Sequence, residues 1–226
     1  MDKPWIRWLG EFLAILLGIL GAFAVDEYRE NQRDRILATE YLSDLQSDLE
    51  FDLRNLDYIT GRTLIELHSA DYLLNEAGVD ISGLSNKLEG YEPPKVKDGL
   101  QLAELGEFSW FSPNTSTYTG IISSGHFHVI SDRPLRRAIT AYYEGVKANN
   151  ADREEFLQDA TRLRDLLDAN GINLFSGVNE EEIFQVKGII PTLQHVREAS
   201  HWRLVRFQET HDSVESLIVQ IKERTK

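Results

Sequence analysis

Residues 5–25, WIRWLGEFLAILLGILGAFAV, decide how the rest of the chain is read. No charged residue occurs from Phe12 to Val25. That run covers about 21 Å as a helix, short of a hydrocarbon core of about 30 Å. Counted from Trp5, the segment reaches about 31 Å and spans. Arg7 can snorkel to headgroups, and Glu11, one turn deeper, can pair with Arg7 or meet a partner inside a protein interface. Trp5 and Trp8 fit the aromatic belt of a membrane boundary, with Arg7 as the third interface anchor.

A cleavable signal peptide competes with this reading. Lys3 and Arg7 would form its basic region and Ala22-Phe23-Ala24 its A-x-A site. Glu11 and two Trp residues in the basic region argue against it. A buried core helix is the other competitor, and the abrupt change to charge at Asp26 argues against that.

Within the segment Gly10, Ala14, Gly18 and Ala22 recur every fourth residue, with Gly21 beside them. Small residues at this spacing line one helix face and let another backbone approach closely. Together with Glu11 they are read as a docking face for a transmembrane helix of a partner or of a second copy. Residues 1–25 are therefore expected to be a transmembrane anchor, and residues 26–226 an acidic helical extramembrane domain.

The 226 residues carry a formal net charge of −13. In residues 1–25, Lys3 and Arg7 balance Asp2 and Glu11, so the acidic excess lies wholly beyond the anchor. An acidic domain is a poor binder of phosphate backbones, which excludes nucleic acid as the expected partner. It also stands off anionic headgroups. The absence of cysteine removes disulfides, thiolate metal sites and cysteine nucleophiles.

Beyond Asp26, Leu42, Leu45, Leu49, Leu56 and Ile59 follow a 3–4 spacing that Asp52 interrupts. No Gly or Pro lies between Val25 and Gly61, so the anchor is expected to continue outward as one rod. Gly61 weakens or breaks that rod, and Gly78 ends the helix that follows. Residues 78–107 read as a long irregular stretch. In FSWF, Phe108, Trp110 and Phe111 either cap the helical core or form a partner contact. Asn114 or Thr115 caps a short helix ending before Gly125. Ser131 or Asp132 caps a helix expected to run from Arg133 to Asn170, and Pro191 opens a last long helix. The fold class is all-α: a transmembrane helix continuing into a bundle of about four long helices.

Two stretches together resemble an uncharacterised bacterial family of single-pass membrane proteins, a domain of unknown function. In the first, Gly10, Glu11, Gly18, Ile19 and Ala22 match its anchor pattern. In the second, Thr117, Tyr118, Ser123, Ser124, Gly125, Asp132, Leu135, Arg136, Tyr142 and Tyr143 match a helix, an S-S-G turn and a D-x-x-L-R helix ending in Y-Y. The resemblance implies a bacterial inner-membrane protein with its helical domain in the periplasm. On their own count the basic residues, Lys3 and Arg7 before the anchor and Arg29, Arg33 and Arg35 after it, slightly favour a cytoplasmic domain. Asp26, Glu27, Glu30 and Asp34 are interleaved with the latter, and long domains translocate largely regardless of charge.

Chemistry is sparse. His126 and His128 would share one side of a strand as half a metal site, with nothing at a completing spacing. There is no P-loop, no dinucleotide fingerprint and no nucleophile elbow. Arg133, Arg136 and Arg137 form a basic face expected to pair with internal or partner carboxylates rather than phosphate. No cofactor, metal, catalytic residue or small-molecule substrate is expected. The expected role is a non-catalytic accessory subunit, partnered by other membrane subunits and the bilayer, with a photosynthetic complex as its narrowest form. A membrane-anchored sensor is the alternative, weakened by the few residues before the span.

Overall fold

The structure is a computed structural model that describes residues 4–81, 102, 105–176 and 180–225; the side chains of residues 4–10, Ala14 and Ser176 lie outside that description. It is all-α, with no strand among the described residues. Six α-helices are α1 (Pro4–Glu76), α2 (Ser116–Ser124), α3 (Arg133–Asn149), α4 (Arg153–Asp168), α5 (Glu180–Gln185) and α6 (Ile189–Arg224). Four of them, α1, α3, α4 and α6, are the long ones.

α1 has 73 residues and is about 110 Å long. It passes through Gly61 unbroken, because a single glycine costs only about 1 kcal/mol against the packing on either side. It stops at Gly78, whose φ of 77° lets Val79 N–H reach the Leu74 carbonyl at 2.9 Å. α3 starts where Asp132 accepts the Leu135 N–H at 2.9 Å, with Pro134 in the first turn.

α6 lies antiparallel along α1. Arg197 meets Asp71, Arg203 meets Glu66, His211 meets Asp57 and Lys222 meets Glu50, so rising numbers on one helix face falling numbers on the other. Two apolar cores flank this seam. The first joins Leu42, Leu45, Leu49 and Leu56 of α1 to Ile121, to Leu135 and Ile139 of α3, and to Val214, Leu217 and Ile221 of α6. The second joins Leu73 and Leu74 to Leu163 and Leu167 of α4, Ile183 of α5, and Leu193 and Val196 of α6. Between them lies a polar layer in which Thr63, Glu66, Ser69, Asp71, Arg197, Ser200, His201 and Arg203 are all buried.

Two expectations are corrected. The helix from Arg133 breaks at Asn149, where a 3₁₀ turn, Asn150–Asp152, separates α3 from α4. Paired Asn side chains compete for the backbone without interrupting the apolar period. The break is held from outside: Trp110 Nε1–H donates to Asn150 Oδ1, and Arg206 grips Asp152 at 2.5 Å. His126–Val129 is a 3₁₀ turn rather than a strand, so His126 and His128 do not share a strand face.

Most of the expected irregular stretch 78–107 lies outside the described residues, as do residues 1–3 of the expected anchor. Among the described residues, no helix is long and apolar enough to cross a membrane.

Candidate functional site

The bundle's first buried residue is Leu42. Before it, every described side chain from Glu11 to Asn31 is exposed. This reach of α1 projects beyond all other elements. Phe12, Ile15, Leu17 and Phe23 are 61–68 % exposed, and Leu13, Leu16, Ile19, Leu20 and Val25 also face outward. They follow one another around the helix rather than along one stripe. Helices apolar on all sides are found in protein cores or in membrane spans. Each such side chain gains about 1.5–3 kcal/mol on full burial, so nine left in water forgo a sum comparable to the stability of a whole domain.

Of the expected docking face, Glu11 is exposed, and so are Gly18, Gly21 and Ala22. A Cβ added to Gly18 or Gly21 would meet nothing within 4 Å, so that flank is open in the single chain. The side chains of Trp5, Arg7, Trp8 and Ala14, and the exposure of Gly10, lie outside the described residues.

The aromatic trio divides. Phe111 is 3 % exposed and belongs to the first core, as the core-capping alternative has it, so the partner-contact alternative is left to Phe108 and Trp110. Those two rings stack at 5.7 Å and are half-buried. Arg203 lies under Phe108 at 5.1 Å and donates to the Ser109 carbonyl at 3.1 Å. Even here the main role is to seat the 106–111 segment on α6.

A joint that sequence reasoning missed ties the second motif to the rod. Asp48 and Asp52, one turn apart on α1, receive the start of α2. Asn114 N–H donates to Asp52 Oδ1 at 2.8 Å, Asn114 Nδ2 to Asp48 Oδ1 at 2.7 Å and Thr117 N–H to Asp48 Oδ2 at 3.2 Å. The Tyr142 hydroxyl donates to Asp52 Oδ2 at 2.7 Å. Asp52 is fully buried, and burial pushes its carboxyl up from 3.8 to about 6, against the Asn114 N–H and Tyr142 hydroxyl that favour the charge. Burial, and then the Asp52 charge, push the Tyr142 and Tyr143 phenols well above their ordinary range. The signal was Asp52 itself, an acid at an apolar position of the Leu stripe.

The histidines take local partners. His126 Nδ1 meets the Tyr41 hydroxyl at 2.9 Å, and His128 Nδ1 the Gly125 carbonyl at 2.9 Å. Among the described residues no group of three or more His, Asp or Glu could hold a metal ion.

Neither the curated proteins nor the solved structures include a match to this chain. A family model does match, over residues 11–150, which takes in the apolar reach from Glu11, the bundle part of α1, the Asp48–Asp52 joint, α2 and α3. By that match over more than half its length, the chain belongs to the family described as "Family of unknown function (DUF6090)".

Proposed function

We propose that the protein is a membrane-anchored helical strut: a non-catalytic accessory subunit whose apolar reach sits among lipid and partner helices while its acidic bundle braces other subunits. One observation carries this reading, the exposure of the described large apolar side chains between Phe12 and Val25 around a helix that otherwise packs normally. A soluble partner helix would cover one stripe and leave the rest wet, whereas lipid covers all of it. The open Gly18–Ala22 flank is then the place for a partner's transmembrane helix. With residues 5–25 as the span, the bundle stands off the bilayer on the periplasmic side of a bacterial inner membrane. Photosynthetic and respiratory assemblies both hold small subunits of this type, and no residue here selects between them.

Carbonate extraction tests the anchoring. The wild-type chain should stay in the membrane pellet, and a variant with Leu16, Leu17, Ile19 and Leu20 replaced by Gln should be released. Wild-type chain in the supernatant would end the proposal. Gly18→Leu tests the docking face: it should stay in the membrane while losing co-purifying subunits, and retention at wild-type stoichiometry contradicts it.

The unbroken course of α1 from Pro4 to Glu76 favours a second reading, a sensor that transmits a signal along the rod. Replacing the anchor by an unrelated span should abolish the response of a sensor and leave a strut's function intact.

A further inference from the structure

Three arginines on α3 line a groove of about 650 Å³ with Phe127, Thr140 and Ala141: Arg133, Arg136 and Arg137. The sequence reading expects them to meet carboxylates. Elsewhere in the bundle Arg164, Arg197, Arg203, Arg206 and Arg224 each pair with an acid. Among the described residues the groove arginines pair with none. Arg136 donates to the Ile130 carbonyl. The neighbouring acid, Asp132, is already taken, by Arg224 at 2.6 Å and by the Leu135 N–H it caps. The Leu135 N–H, then Arg224 and, least, the Arg136 charge lower the Asp132 pKa. In a chain of net charge −13, three adjacent guanidiniums that share a single nearby carboxylate, Asp132, form a local excess of the opposite sign.

We infer that this groove is the docking site for an acidic segment of a partner protein, an inference that rests on the strut reading for the partner's presence. Positions 133, 136, 137 and 140 share one helix face, so the guanidiniums stand within about one turn of each other. Their planar forks suit carboxylates spaced along a peptide. The Phe127 ring and the Ala141 methyl give an apolar wall, which suits an amphipathic segment and gives nothing to a free inorganic anion. A lipid headgroup is out of reach. The groove lies beside the 3₁₀ turn that Tyr41 holds through His126, and Tyr41 is on the order of 25 Å along α1 beyond Val25.

The test uses the full chain in neutral detergent micelles and a fluorescent amphipathic peptide of Glu and Leu. One peptide should bind per chain, more weakly as salt rises. The double variant Arg133→Glu, Arg137→Glu should bind at least about tenfold more weakly, with an unchanged melting curve. Arg136 is kept because it holds the Ile130 carbonyl. Equal affinity of the double variant overturns the inference. Displacement of the peptide by inorganic phosphate beyond that caused by sodium chloride at equal ionic strength also overturns it, in favour of a free anion. Loss of peptide binding on transfer from phosphatidylcholine to phosphatidylglycerol nanodiscs overturns it in favour of a headgroup. Carbonate extraction of the same double variant separates the two readings: a chain that stays in the membrane but ignores the peptide loses the groove alone.

Discussion

Asp52 is an ionisable group at a position that the leucine period marks for burial, and its titration gives the fold a measurable signature. Its carboxyl is raised in the folded protein, so folding takes up a proton between the ordinary 3.8 and about 6. The sign follows: this group's contribution to stability grows as pH falls from 7 towards 4 and is flat below. The expected gain is on the order of 2 kcal/mol. Glu66 is also raised, by burial first, while Glu50 and Asp132 are lowered and act in the opposite direction. Urea unfolding of wild type and Asp52→Asn across that range isolates the Asp52 contribution as a difference. The difference should shrink in favour of wild type as pH falls, and a pH-independent difference would show that Asp52 does not titrate between the two states. Tyr142→Phe removes the hydroxyl donor to Asp52 and should cost about 1–3 kcal/mol at pH 7.

At the scale of elements, the α1–α6 seam depends on two buried ion pairs. Arg203 and Glu66 are both about 1 % exposed, and Arg197 and Asp71 are 4 % and 0 % exposed, with 2.5 Å between Nε and Oδ1. Breaking such a pair strands a charge. Arg203→Ala should therefore lower stability by about 3–5 kcal/mol, whereas Arg203→Met with Glu66→Leu should come close to wild type. Chemical denaturation of the three chains checks this, and equal losses in single and double variants would refute it. These same elements show what the sequence made legible. The leucine spacing of α1, the Asp132 cap and the Gly78 stop are local signals and appear where expected. The break at Asn149–Asp152 has only the paired Asn149 and Asn150 as a local signal, and what holds it, Trp110 and Arg206, comes from distant parts of the chain. The Asp48–Asp52 joint was hidden for the same reason, since the donors that make those acids useful sit more than sixty positions away.

The whole molecule is a long rod with a helical bundle on its distal half. Described side chains from Glu11 to Asn31 are exposed and belong to neither core, so removing residues 1–32 should leave the melting temperature within about 2 °C of the full chain. A collapse of the truncated bundle would show that the rod supports it through contacts absent here. The every-fourth pattern of small residues is readable from the sequence, and the structure adds that Gly18 and Gly21 are uncovered in the single chain. What covers them is the central question. The chain has no cysteine, so single cysteines placed from Leu13 to Tyr28 can each be probed in native membranes with a membrane-impermeant maleimide. Positions 13–24 should be protected and positions 26–28 should react quickly. Labelling at Leu16 or Leu17 as fast as at Tyr28 would put the apolar reach in water and contradict the account.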